Sequence, residues 1–247
     1  MLPKKGVLLM TYQTIFKRYE LKYLLSMKQK ELLVETMRPY MELDQFGHST
    51  IRNIYYDTDT YRLIRHSLEK PAYKEKLRVR SYARANGKSA VFVELKKKYK
   101  SVVYKRRIVM PEQQAVDWLS GKTPCPKESQ ISREIDYFRS FYETLHPAVC
   151  LSYEREAFYS LGGDDFRVTF DENIMYREND LSLETEVYGA PLLQDGQVLM
   201  ELKTPGGIPL WMTHFLTEQH IRKTSFSKYG TAYQTMQTNS LGGKRYA

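Results

Sequence analysis

Residues 76–82, KLRVRSY, set Arg78 and Arg80 against Leu77 and Val79 in strict alternation. A spacing of two is the period of a β-strand, so the two arginines share one face and the aliphatic residues share the other. The same spacing joins Glu20 to Lys22, Glu94 to Lys96, Lys105 to Arg107, Tyr153 to Arg155 and Glu201 to Lys203. These pairs lie far apart in the chain, and apolar residues such as Val93, Leu95, Met200 and Leu202 fall between or beside them. A polar face turned to water is the ordinary outcome for an antiparallel sheet. Arginine is prominent here, however, and its planar fork matches phosphate oxygens and keeps its charge when desolvated. If helices cover the apolar faces outside, the charged faces point inward on one shared surface.

Cations held ~6–8 Å apart at an effective dielectric near 20 repel by about 2–3 kcal/mol per pair. An inward cationic ring therefore needs a bound polyanion, interleaved carboxylates, or both. Glu20, Glu94 and Glu201, each two residues before a lysine, are the interleaved carboxylates. Among phosphate-binding cations, such carboxylates suit Mn²⁺ or Mg²⁺, which bridges acid and phosphate oxygens. A salt bridge to the neighbouring cations is the alternative role for each.

Working outward, strands are expected at Phe16–Leu25, Ile51–Asp57, Lys76–Tyr82, Val91–Lys97, Val102–Met110, Val149–Tyr159, Arg167–Asp171, Leu181–Val187 and Val198–Lys203. Asn86-Gly87 and Gly162-Gly163 mark hairpins. Helices are expected over Lys28–Met37 behind an N-cap at Ser26, over Gln113–Leu119, over Ile131–Leu145, and over Pro209–Gln219. Together these elements compose one α+β domain dominated by antiparallel strands.

The 247 residues carry a net charge of +9, with 42% hydrophobic and 13% aromatic side chains. Those figures exclude a disordered chain and suit a polyanionic partner, whether nucleic acid, an acidic membrane surface or a phosphate-rich small molecule, among which charge does not choose. Cys125 and Cys150 give neither a zinc spacing nor a disulfide framework. No apolar run reaches the ~18–20 residues of a membrane span, and the expectation is a soluble, cytoplasmic protein with no membrane span. Gly87-Lys88-Ser89 and Gly121-Lys122-Thr123 imitate the end of a phosphate-binding loop, but Tyr82 and Val116 occupy the position of its first glycine. The histidines show no metal-binding spacing, and no GxSxG elbow is present.

The ordered segments RYELKYLL (18–25), IYYDT (54–58), KLRVRSY (76–82), VELKKK (93–98), YEREAF (153–158), RVTFD (167–171), MELKTPGGIPLWM (200–212) and SFSKYG (225–230) together resemble the VTC polyphosphate-polymerase domain. That domain is a member of the CYTH-like triphosphate tunnel metalloenzymes. The resemblance spans residues 16–235, leaving an N-terminal extension (1–15) and a C-terminal tail (236–247). It implies a closed antiparallel β-barrel tunnel of about eight strands with flanking helices. It further implies metal-assisted transfer of the ATP γ-phosphate onto polyphosphate, starting from orthophosphate or pyrophosphate. By position, Lys22, Arg78, Arg80, Lys96, Lys105, Arg155, Arg167 and Lys228 would hold phosphate. Tyr153 and Ser227 would add hydroxyls, and Glu201 would bind metal. The period-two pattern adds Arg107 and Lys203 to the substrate-binding set, with Glu20 and Glu94 as further metal candidates. Arg18 stands where many tunnel enzymes have a first glutamate, which puts a second metal in doubt.

Three other functions use overlapping features: a triphosphate hydrolase of the same fold, a non-catalytic polyphosphate binder, and a nucleic-acid-binding basic barrel. Carboxylates interleaved with the cations would repel a nucleic-acid backbone, so no nucleic-acid partner is expected.

Overall fold

The computed structural model describes residues 19–100 and 102–242, with side chains through residue 240. The chain opens with strand β1 (Tyr19–Ser26), helix α1 (Met27–Met37), the long strand β2 (Met41–Asp57) and helix α2 (Arg62–Leu68). Strands β3 (Tyr73–Ser81), β4 (Ala90–Tyr99) and β5 (Val102–Pro111) form a meander, followed by helices α3 (Glu112–Leu119) and α4 (Gln130–Tyr142). Next come β6 (His146–Ser160), β7 (Arg167–Arg177), the two-residue β8 (Ala190–Pro191) and β9 (Gln197–Thr204). Helix α5 (Leu210–Glu218), the short β10 (Lys223–Thr224) and helix α6 (Lys228–Gly242) complete the described chain.

Local chemistry fixes several boundaries. Ser26 caps α1 in a reciprocal box: its Oγ accepts from the Gln29 amide at 3.2 Å, and Gln29 Oε1 accepts from the Ser26 amide at 2.9 Å. Two orphan donors are thereby satisfied where strand gives way to helix. Asp57 does similar work for α2, accepting from the amides of Leu63 and Ile64 and from the Tyr229 hydroxyl.

All strands pair antiparallel in one ten-stranded sheet of order β10-β1-β9-β7-β6-β2-β3-β4-β5, with β8 on β7. The alternation read at KLRVRSY decides what covers each face. Leu77, Val79, Val93 and Leu95 pack outward against Ala115, Trp118, Ile135 and Phe138 of α3 and α4. On the other flank Leu25, Val168, Phe170, Met200 and Leu202 pack against Leu33 and Met37 of α1 and Met212 and Phe215 of α5. Each fully buried aliphatic or aromatic side chain contributes about 1.5–3 kcal/mol. The opposite, concave face keeps the charges.

The sheet curls without closing, which corrects the expected closed barrel of about eight strands. The outer edge of β1 is taken at Lys22 and Tyr23 by β10, which blocks the backbone pairing with β5 that closure requires. Among the described residues side chains bridge the seam: Lys96 Nζ on β4 lies 3.7 Å from Glu20 Oε2 on β1.

Other differences have local causes. Residues 181–187 form no strand, because arginines claim their carbonyls: Arg52 donates to Leu183 and Thr185, and Arg177 donates to Ser182. Strands β2 and β7 run longer than expected, to Met41 and Arg177. Helix α6, which crosses residue 235, is an element that the apolar periodicity does not announce. Residues 16–18, including Arg18, lie outside the described residues. Among the described residues, no helix is long and apolar enough to cross a membrane.

Candidate functional site

One half of the concave face is built on β3, β4 and β5. Their register sets Arg78 opposite Glu94 and Glu94 opposite Arg107. The Glu94 carboxylate is 1% exposed and fully engaged. Arg78 donates from Nε to Oε2 at 2.8 Å, with its Nη2 2.7 Å away. Arg107 Nε donates to Oε1 at 2.9 Å, and Lys105 Nζ lies 2.6 Å from the same oxygen. Burial would raise the Glu94 pKa, but Arg78, Arg80 and Lys105 hold it well below the usual carboxylate range. Arg80 is buried and donates to Asn53 Oδ1 at 2.8 Å and the Tyr153 hydroxyl at 2.9 Å. Among the described residues no carboxylate lies within 4.0 Å of it. Arg78 also donates to the Tyr55 hydroxyl at 2.9 Å. Burial would raise that phenol, yet Arg78, Lys76 and Arg80 bring it down to about 8.

The other half joins β1, β6, β7 and β9 to α6. Arg155 grips Asp171 with two parallel hydrogen bonds of 2.6 Å, the bidentate geometry that a guanidinium gives a carboxylate. Lys228 Nζ sits 2.5 Å from Asp171 Oδ2 and 3.1 Å from Glu201 Oε1. Lys22 Nζ approaches Glu201 at 3.3 Å and Glu20 at 3.5 Å, and donates to the Phe226 carbonyl at 3.0 Å. Burial works against the charge on Lys228, but Asp171 and Glu201 push its pKa well up. For Glu201 burial is opposed by Lys228, Lys22 and Arg155, which hold it well below its ordinary value. Lys203 is brought down to about 8 by burial and by Arg155, against the pull of Glu201 and Glu20.

The two halves face one hollow. Lys76 on β3 is lowered to about 8 by burial and by repulsion from Lys96, Lys74 and Lys22, although Tyr55 opposes this. Glu20 pairs with both Lys22 of β1 and Lys96 of β4, and Lys96 lies opposite Lys76 of β3, so lysines from three strands share one volume. Exposure falls from the rim, where the Lys96 side chain is 43% exposed, to the floor, where Asp171 is 0% exposed. Behind the floor lie Leu24, Ile51, Ile174, Leu199 and Phe226.

The hollow gathers Lys22, Arg78, Arg80, Lys96, Lys105, Arg107, Tyr153, Arg155, Lys203, Lys228, Glu20, Glu94 and Glu201. Arg167 stands exposed at the start of β7, opposite Lys203 at the rim. The Ser227 hydroxyl accepts from the Gly230 amide at 3.2 Å at the start of α6, which leaves its O–H proton to donate. Four lining residues escape the sequence reading: Asn53, Tyr55, Lys76 and Asp171. Lys76 and Asp171 carry a readable signal, since each continues a period-two series, Lys76-Arg78-Arg80 and Arg167-Thr169-Asp171.

Among the described residues no three acidic, histidine or cysteine side chains form a metal cage. A hard divalent ion at a nucleotide site needs only one or two carboxylates, the remaining ligands being phosphate oxygens and water. Glu201 and Glu20 meet that donor requirement. Glu20 is the more accessible, at 34% exposed, and its ion pairs are loose. Cations engage both oxygens of Glu94 and of Glu201, but at 2.6–2.9 Å for Glu94, across the hollow, and at 3.1–3.6 Å for Glu201.

The sequence model of the VTC domain matches residues 17–237, and the chain belongs to that family. Its fold is also that of a candidate adenylate cyclase from Bacillus halodurans, at 15% identity and a TM-score of 0.52, over 86% of this chain and 94% of that one. A candidate adenylyl cyclase from Hippeastrum, described as having a dominant triphosphatase activity, aligns at 16% identity and a TM-score of 0.53. It covers 87% of this chain and 95% of that one. No curated protein matches the sequence.

Proposed function

We propose that the protein is a metal-dependent polyphosphate polymerase that transfers the γ-phosphate of ATP to a growing polyphosphate chain held in the hollow. The observation that carries this reading is the surplus of inward cations. Arg80, Lys76 and Lys203 have no carboxylate within 4.0 Å among the described residues, and burial with like-charge neighbours pulls both lysines down to about 8. Such a surface is stabilised by condensed phosphate, which supplies the missing negative charge along its length.

Phosphoryl transfer asks little covalent work of a protein; positioning and charge stabilisation dominate. Arg78, Arg80, Arg155 and Lys228 would orient the triphosphate and spread the charge that develops as the γ-phosphate leaves. Lys22, Lys96 and Lys203 at the seam would hold the anionic acceptor against its own repulsion, with Lys105, Arg107 and rim Arg167 beside it. The Tyr153 hydroxyl, already held by Arg80, would share the floor. Glu201 with Glu20 would hold Mn²⁺ or Mg²⁺, which when bound neutralises and bridges phosphate oxygens.

A hydrolase reading has one specific support, the triphosphatase activity described for the Hippeastrum protein of the same fold. Both reactions need the same clamp and differ only in acceptor. Incubation with ATP and Mn²⁺ followed by sizing of the products separates them. Long chains are expected; orthophosphate alone would transfer the assignment to hydrolysis, and no turnover with retained binding would make the protein a polyphosphate binder.

A further inference from the structure

Beyond the row Arg78-Glu94-Arg107, the same face of the meander sets lysine against lysine. Lys76 lies opposite Lys96, and Lys96 opposite Lys105; one row further out, Lys74 lies opposite Lys98. Directly opposed residues on antiparallel strands bring their Cβ atoms within ~4.5–5.5 Å, and like charges so placed destabilise the pair. Glu20 reaches Lys96 at 3.7 Å and Glu94 reaches Lys105 at 2.6 Å, so those two are partly compensated. Among the described residues no carboxylate comes within 4.0 Å of Lys74, Lys76 or Lys98. Lys74 donates to the Ser67 carbonyl at 3.3 Å, and Lys76 lies 5.9 Å from the Tyr229 ring centre. Neither contact removes a charge. Burial followed by repulsion from Lys98, Lys96 and Lys22 lowers the pKa of Lys74, so the rows interact with each other and with β1.

The alternatives to a ligand do not account for this. A solvated face would separate like charges or interleave acids, as the adjacent row does with Glu94. The rows also run without interruption from the half-buried Arg78 toward the strand ends, which gives them a direction. A flexible linear anion bearing a charge on every phosphate, with no bases or side chains to accommodate, fits closely stacked lysines at successive rows.

We propose that this lysine ladder is a second anion subsite, continuous with the hollow, that holds the phosphates of a linear inorganic polyphosphate lying beyond those gripped at the floor. The inference rests on the reading that the hollow takes condensed phosphate, and it assigns chain-length preference to Lys74 and Lys98, which lie outside the proposed transfer machinery.

The test is titration calorimetry of the full chain with tripolyphosphate and with a long linear polyphosphate, in wild type, the double variant Lys74→Ala/Lys98→Ala, and the charge-retaining Lys74→Arg/Lys98→Arg. Wild type should bind the long chain at least about tenfold tighter than tripolyphosphate, a difference of about 1.4 kcal/mol. The alanine variant should lose that preference while its tripolyphosphate affinity stays within about twofold, and the arginine variant should keep it. A length preference that survives in the alanine variant, or equal losses for both ligands, overturns the ladder. Equal dependence of a single-stranded oligonucleotide on the same lysines overturns its assignment to polyphosphate. Failure of wild type to bind tripolyphosphate, with ladder-dependent binding of the long chain, would overturn the proposed function and leave the ladder standing; no binding of either overturns both.

Discussion

The two halves of the hollow hold cations in different ways. Around Glu94 one carboxylate serves Arg78, Lys105 and Arg107, all from adjacent strands of a single meander, and two of those partners reach water, with the Lys105 side chain 41% and Arg107 35% exposed. Around Asp171 and Glu201 the partners come from the first strand, the middle of the sheet and the last helix, and Lys228 and Asp171 are 9% and 0% exposed. The first cluster can relax into solvent when a member is lost. The second cannot, so it combines the structural and the chemical demands of the site.

The sharpest way to break this contrast is Asp171→Asn, which leaves Lys228 and Arg155 short of a buried counter-charge. A loss of about 3–5 kcal/mol is expected, measured by urea unfolding; a loss below that of the Glu94 variant would invert the comparison. Glu201→Gln reads the chemistry of the same cluster. Turnover with ATP and Mn²⁺ should fall at least about 100-fold, with triphosphate affinity by calorimetry largely retained. Glu94→Gln should cost only about 1–3 kcal/mol, because Lys105 and Arg107 can turn outward; the same unfolding assay reports it.

The smallest effect is a pH dependence. Lys76 and Lys203 are lowered to about 8 by burial, with like-charge neighbours acting in the same direction. They carry charge below pH 8 and lose it above, so triphosphate affinity should weaken severalfold as pH rises from 7 to 9.5. Stability of the empty protein should move oppositely through these groups. The cost of keeping them charged is full below pH 8 and fades as pH approaches the ordinary lysine value of 10.5. Affinity that is flat across that range would remove these lysines from the binding account.

The same contrast explains what is legible in the sequence. The Glu94 cluster is a cross-strand row, and period-two alternation reads such rows from residues close in the chain. Arg78, Arg80, Glu94, Lys105 and Arg107 are all legible on that ground. The Asp171 cluster depends on tertiary meetings across most of the chain. Lys228 comes only from family resemblance, and Asp171 escapes notice at the end of RVTFD although its spacing is there to use. Closure is misjudged for a related reason: alternation defines the faces of strands, whereas the pairing of β10 with β1 is decided by a two-residue contact too short to carry a pattern. The segment 181–187 looks like a strand because its alternation is real, but arginine side chains take the carbonyls a neighbouring strand would need.

Lys22 and Lys228 grip the same Glu201 oxygen from opposite ends of the described chain. During synthesis the meander can assemble its arginine row early, while the floor must wait for the final helix to emerge. Completion of the floor is thus withheld from a half-made polypeptide, and a chain cut short before α6 would leave Asp171 and Glu201 buried without their lysine.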